Sequence, residues 1–434
     1  MVGPTTYFQA DGATDLPEGT RELLARRDAV LGAPYRLFYR RPLTLVKGLA
    51  AVVTDDRGRE YLDCYNNVPV VGHAHPRVAE AVWKQMGIIN THTRYLHPDV
   101  IDYAEKLVAS MPHGPDRVVF TCTGSEANDL ALRVARSVTG NEGVIVTEYS
   151  YHGITEATAE ISPSLVGEEN VGDRVVFVSS PAKSGDWATE IQTAIDTLNA
   201  RGKGVAAIVL DTIFASDGLW PKGESEILDR GITAATDAVR KAGGLVIADE
   251  VQGGFGRVGS VLWGHVGRFV PDMVSLGKPM GNGYPVAGLV AKKHLFDEFS
   301  AKTRYFNTFG GSPVAIAAAS ATWEILHEEA LPDHAQAMEH HLQRLLQPLA
   351  DHPRVAAIRG VGLYASIDLQ RLDGTPDEPA TIELVNALRE DGVLIAASGP
   401  TNSSLKIRPP LAITTSQVET LAEVLTRHIQ ALEA

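Results

Sequence analysis

Cysteine is nearly absent. Two residues in 434, Cys64 and Cys122, exclude a disulfide framework, and neither has the neighbours that a zinc site needs. Both are expected to be small buried side chains in a reducing compartment. No run of 18 or more apolar residues is present, so no membrane-spanning helix is expected. The first residues, MVGPTTYFQADGATDLPEG, lack a basic start followed by an apolar run, so no signal peptide is expected and a cytoplasmic location is. Positive charge is in deficit too: 39 Lys and Arg against 53 Asp and Glu leave a net charge of −14. That balance repels a phosphate backbone, and Arg40-Arg41 and Lys292-Lys293 are isolated pairs. Nucleic-acid binding is therefore not expected. A cofactor-binding regulator would need a DNA-binding segment, and none is present. Repeats, low-complexity tracts and Pro-rich linkers are missing as well.

What is there reads as an α/β enzyme. The chain is too long for one compact core, so more than one domain is expected. Seven short apolar runs (117–123, 143–149, 174–180, 204–212, 244–251, 272–277 and 286–292) lack polar alternation and are rich in Val and Ile. That pattern suits strands buried on both faces. Helical patterns such as 126–138 and 227–243 lie between them, which predicts a mostly parallel seven-stranded sheet covered by helices. The ends differ. A helix over 17–32 and a strand pair turning at Asp56-Arg57-Gly58 are predicted before residue 60. After residue 315 come a long helix, a second one over 333–350, a strand pair in RGVGLYASIDL and a final helix. This suggests a large domain over 60–315 and a smaller α+β domain built from 1–59 and 316–434.

Five stretches carry chemistry. TGSEAND (123–129) has capping-box spacing at a strand-to-helix junction, and the free amides there form an anion site; a plain helix cap is the ordinary reading. GLVIADEVQGGFGRVG (244–259) ends a strand on Asp249 and Glu250, and a buried acid there needs a cationic partner; a salt-bridged strand end is the alternative. Its Gly254, Gly256 and Gly259 match a dinucleotide fingerprint formally, but two acids and a glutamine precede them and no helical period follows, so a Gly-rich loop is expected. Lys278 in SLGKPMGNGYPVAG (275–288) sits at a strand end in an apolar, Gly-rich setting, where a lysine becomes an imine-forming nucleophile; alone it reads as a surface lysine. YFNTFGGSP (305–313) bears Thr308, and YSYHG (149–153) offers the Tyr151 ring with His152 beside it.

In that order these stretches resemble the class III aminotransferases of fold type I, over nearly the whole chain from about residue 35. The resemblance implies pyridoxal 5′-phosphate bound through Lys278 as a Schiff base, with Asp249 on the pyridine nitrogen and Gln252 near the ring hydroxyl. It also implies a phosphate cup at Thr123, Gly124 and Ser125, and Tyr151 and His152 against the ring. Thr308 would reach the phosphate of a partner subunit, which implies a homodimer with shared active sites, a tetramer being a further option.

YLDCYNNVPVVGHAHP (61–76), INTHTRYLH (89–97) and GKPMGNGYP (277–285) look more particularly like the ethanolamine-phosphate phospho-lyase branch. That implies elimination of phosphate from a phosphorylated amine such as phosphoethanolamine, giving aldehyde, ammonia and phosphate. The alternative is an ω-aminotransferase moving an amino group between an amine or amino acid and a 2-oxo acid. Expected substrate-binding residues are Arg94, Arg408, Arg36 and Asn67. Arg408 also reads as the arginine that aminotransferases use for a substrate carboxylate, or as a structural cation at a domain seam. Asp211 and Asp217-Gly218 depart from the family's usual glutamate and Gly-Gly. His73-Ala74-His75 lacks a third ligand, so no metal is expected.

Overall fold

The computed structural model describes residues 8, 16–112, 114–167, 171–181 and 186–433. At its centre is a seven-stranded sheet with the spatial order Arg117–Thr121, Ala287–Ala291, Met273–Leu276, Leu245–Asp249, Val205–Asp211, Gly143–Thr147, Val175–Val178. Ala287–Ala291 runs antiparallel to both its neighbours, and the other contacts are parallel. Each of the seven apolar runs supplies one strand. Every residue of Gly143–Thr147, Val205–Asp211 and Met273–Leu276 is buried, which is why these runs show no alternation.

Helices cover the sheet through one apolar stripe each. Glu226–Lys241 buries Leu228, Ile232, Ala235 and Val239 at helical spacing. Gly124–Thr139 packs on the strands Val205–Asp211, Met273–Leu276 and Ala287–Ala291, and its buried side chains include Leu130, Ala131 and Val134.

Two smaller sheets flank this core. Leu45–Leu49, Val52–Asp55 and Glu60–Asp63 form an antiparallel meander, and Val393–Leu394 from the far end of the chain pairs parallel to Glu60–Asp63. Val355–Val361, Tyr364–Leu369, Ser404–Ile407 and Ala396–Ser398 make an antiparallel sheet in that order.

Helix ends shift where local chemistry dictates. The helix predicted over 17–32 spans Glu18–Asp28 and buries no residue, so no tertiary packing extends it. The helix predicted over 333–350 spans Leu331–Leu346 and continues as a 3-10 turn, Gln347–Leu349, because Pro348 has no amide to donate. The stretch after Asp249 forms successive turns and no helix, so no dinucleotide fold arises there. Among the described residues no helix is long and apolar enough to cross a membrane.

Candidate active site

The carboxyl ends of the central strands open into a cavity of about 290 Å³, the usual ligand position in such sheets. Three pieces of chain build one wall. Arg117–Thr121 runs into the helix Gly124–Thr139 through Thr123, whose hydroxyl accepts from the Glu126 amide while the Glu126 carboxylate accepts from the Cys122 and Thr123 amides. That capping box leaves the Gly124 and Ser125 amides without intrahelical acceptors, at the positive end of the helix. Space there is tight: a Cβ on Gly124 would lie 2.7 Å from Val251 Cγ2, and one on Gly153 2.7 Å from Ser125 Oγ. The result is a backbone cradle sized for an anion.

Asp249 forms the back wall. Its Oδ2 accepts from His152 Nδ1 at 2.7 Å and from Asn128 Nδ2 at 2.9 Å, and its Oδ1 accepts from the Val251 amide at 3.0 Å. Burial alone would raise its pKa. The hydrogen bond and charge of His152, with the Val251 and Asn128 bonds, outweigh that and hold it below the ordinary carboxylate value. Asp249 therefore presents a buried negative charge to the cavity. Its neighbour Glu250 has no such role: Thr212, Gly264 and His265 all donate to it, and it pins the loop after the strand.

Lys278 enters from the adjacent strand, two residues past Met273–Leu276. Its Nζ lies 5.8 Å from the Tyr151 ring centroid, and among the described residues no carboxylate makes an ion pair with it. Burial first, then the Arg408 charge, lower its pKa against weaker opposing pulls from Asp249 and Asp211. The amine is thus held nearer to its neutral, nucleophilic form. Asp211 lies in register with Asp249 on the adjacent strand. Burial, then the Asp249 charge, push its pKa up to about 6, while the Ile213 and Ala215 amides occupy its two oxygens.

Thr123, Gly124, Ser125, Tyr151, His152, Asp249, Gln252 and Lys278 all line this one cavity. The remaining expected residues do not. Arg408 is buried just behind it, donating to Gln252 Oε1 at 2.6 Å and to the Tyr65 carbonyl at 2.6 Å. Asn67 is buried, with an unpartnered Nδ2, beside the lining residue Val68. Arg94 is exposed and stacks 3.9 Å from the Phe306 ring centroid. Arg36 and Thr308 are exposed and outside the lining. One expectation needs correction, and one residue was missed. Cys122 is not buried but half-buried in the cavity wall, 3.8 Å from Asn307, because it caps a strand that ends at the cleft. Asn128, one helical turn after Gly124, had no sequence signal beyond that spacing. His73 is committed to Asp63 at 2.7 Å, and among the described residues no cluster of three metal-ligating side chains exists.

A flat aromatic aldehyde with a basic ring nitrogen and a phosphate fits these donors. The cradle at Gly124 and Ser125 suits the phosphate, the anionic Asp249 a protonated ring nitrogen, and the lowered Lys278 the aldehyde.

A family model described as aminotransferase class-III matches residues 39–429. The chain is 34% identical to the ethanolamine-phosphate phospho-lyase homolog 1 of Caenorhabditis elegans, over 97% of each chain. It is 36% identical to the alanine–glyoxylate aminotransferase 2-like protein of Drosophila melanogaster, over 90% of this chain and 83% of that one. Among solved structures, a phospholyase from Arthrobacter in complex with phosphoethanolamine superposes with a TM-score of 0.89 at 40% identity, covering 95% of this chain and 100% of the other. The chain belongs to the class III aminotransferase family, as a fold type I enzyme dependent on pyridoxal phosphate.

Proposed function

We propose that this enzyme eliminates phosphate from a phosphorylated primary amine such as phosphoethanolamine, yielding aldehyde, ammonia and phosphate. What carries this reading is the whole-length likeness to the Arthrobacter phospholyase bound to phosphoethanolamine, together with the branch-like runs at 61–76 and 277–285.

Bound pyridoxal phosphate supplies an electron sink for the charge left when the carbon bearing nitrogen loses its proton. Lys278 takes that proton, and its depressed pKa suits it to act as a base. Asp249, its orientation fixed by His152 and Asn128, would supply the negative charge that keeps the ring nitrogen protonated. Gly124 and Ser125 would hold the cofactor phosphate, and the Tyr151 ring would offer it a flat surface. A transaminase would next use Lys278 to return the proton to the cofactor side. A phospho-lyase instead needs cationic donors that stabilise the departing phosphate.

Purified enzyme given phosphoethanolamine should release inorganic phosphate and acetaldehyde. If neither forms, while an amine and pyruvate exchange their amino group, the aminotransferase reading replaces this one. Lys278→Ala should also lose the yellow absorbance of the lysine-bound cofactor, and a variant that kept it would remove Lys278 from this role.

The same reading includes a homodimer. Trp83, Met86, Ile88, Tyr95, Leu96 and Phe309 are exposed large apolar side chains, and the His92 ring meets Phe306 edge-on at 5.4 Å, joining the two segments. Large exposed apolar side chains on neighbouring segments suit an interface.

A further inference from the structure

The sheet that carries Arg408 has a polar face with more donors than acceptors. Lys406 pairs in register with Ser366, so their side chains share that face, and Lys406 Nζ lies 5.9 Å from the Tyr364 ring centroid. The one acid on this face, Asp368, is already taken: Arg359, Ser366 and Ser404 all donate to it. Lys406 is left without a hydrogen bond or ion pair among the described residues. The Tyr364 hydroxyl is buried and has no hydrogen-bond partner among the described residues. Arg408, two residues on, uses Nε and Nη1 on Tyr65 and Gln252, and its Nη2 has no acceptor among the described residues. Arg408 touches Gln252, and the charges of Arg408 and Asp211 reach both Lys406 and Tyr364, so these three donors lie behind the wall of the cavity that Asp211 and Gln252 line.

A buried or half-buried cation without an acceptor is costly. Burial, then the charges of Arg408 and Lys278, lower the Lys406 pKa well below the ordinary lysine value, against an opposing pull from Asp211. A dianion supplies what this face lacks. It holds Lys406 in its charged form, accepts from the Tyr364 hydroxyl, and takes the free edge of Arg408 without disturbing that residue's other bonds. A substrate carboxylate carries half that charge and spreads it over two oxygens, where a phosphate offers three.

We propose that Lys406 is the specificity-determining residue that grips the substrate's phosphate, with the Tyr364 hydroxyl and Arg408 Nη2 completing the set. This rests on the phospho-lyase reading and assigns that reaction's leaving group to particular donors. As the carbon–oxygen bond breaks, its electron pair leaves with the phosphate, and Lys406 is placed to stabilise that added charge.

The test uses cofactor-loaded enzyme with Lys406→Met and Lys406→Arg. Equilibrium binding of inorganic phosphate, followed by calorimetry, should weaken at least about tenfold in Lys406→Met and recover substantially in Lys406→Arg, the scale of one charge-assisted hydrogen bond. An unchanged cofactor absorbance band in both variants would show the site intact, and phosphate release from phosphoethanolamine should fall in kcat/KM alongside binding. Equal phosphate affinity in Lys406→Met and wild type, or no binding by wild type, overturns the subsite. If wild type binds phosphate through Lys406 yet releases none from phosphoethanolamine, the subsite stands and the elimination reading falls.

Discussion

Asp217 is a buried acid that ionises at a cost. Thr147 donates to its Oδ2 at 2.9 Å, and the Tyr149 amide adds a weaker bond. Burial, with smaller contributions from Asp211 and Glu148 and against the Thr147 and Tyr149 bonds, pushes its pKa up to about 8. A carboxyl whose folded pKa exceeds its unfolded value binds its proton more tightly when folded. It therefore favours folding at acid pH, and that contribution is lost as pH rises from about 4 to about 8. Asp217→Asn removes the titration. Its stability relative to wild type should rise across that window by a few kcal/mol, at most ~1.4 kcal/mol for each pH unit, and level off above about pH 8. Thermal melts from about pH 5 to 9 would measure this, and a pH-independent difference would refute it. Asp217 showed in the sequence only as a departure from Gly-Gly, since its burial depends on side chains from separate strands. Asp249 and Glu250 make the same point. Adjacent residues at a strand end face opposite ways, so one meets the cavity and the other pins a loop, a division that no composition signal carries.

At the scale of elements, the helix Gly124–Thr139 must begin against the Tyr151–Gly153 turn for the anion cradle to exist. Gly153 has φ +141°, and a Cβ there would lie 2.7 Å from both Ser125 Oγ and Thr158 Oγ1 and 2.8 Å from Ser125 Cα. Gly153→Ala should push Ser125 off its position and weaken cofactor affinity at least about tenfold, since small displacements in a packed site are costly. Gly140→Ala is the control: its φ is +70°, but nothing lies within 4 Å, so it should cost about 1 kcal/mol of stability and leave the cofactor in place. Fluorescence titration of the apoenzyme separates them, and equal affinities would sink the cradle argument. The junction was legible in TGSEAND because a capping box is local. The seven central strands were legible because burial on both faces removes alternation. Val393–Leu394, Ala396–Ser398 and Ser404–Ile407 were not, since strands of two to four residues are specified by partners distant in sequence, such as Val393 against Leu62. Lys406 escaped notice for the same reason: its meaning lies in Tyr364 and Asp368 across the sheet.

For the whole molecule, the site and the apolar surface are one problem. Cys122, in the cavity wall, touches Asn307 in the loop that bears Thr308, Phe306 and Phe309, and Arg94 stacks on Phe306. Leu96 is 97% exposed and Phe309 70%, an arrangement that costs solubility unless another surface covers it. A two-fold axis through this region would bring the same loop of a second copy to the mouth of each cavity, because an isologous contact uses one patch on both partners. Thr308, exposed and outside its own chain's cavity, would then serve its neighbour's cofactor phosphate. The expected state in solution is a dimer. Leu96→Glu combined with Phe309→Glu places four carboxylates at a closed two-fold interface and should yield a monomer by sedimentation, with cofactor affinity lowered as well. Thr308→Ala should keep the dimer and lower cofactor affinity at least about tenfold, the scale of one hydrogen bond to a charged group. If the double variant sediments as wild type does, the interface lies elsewhere. If it becomes monomeric but binds cofactor as tightly, the two sites are independent and Thr308 has no role across the axis.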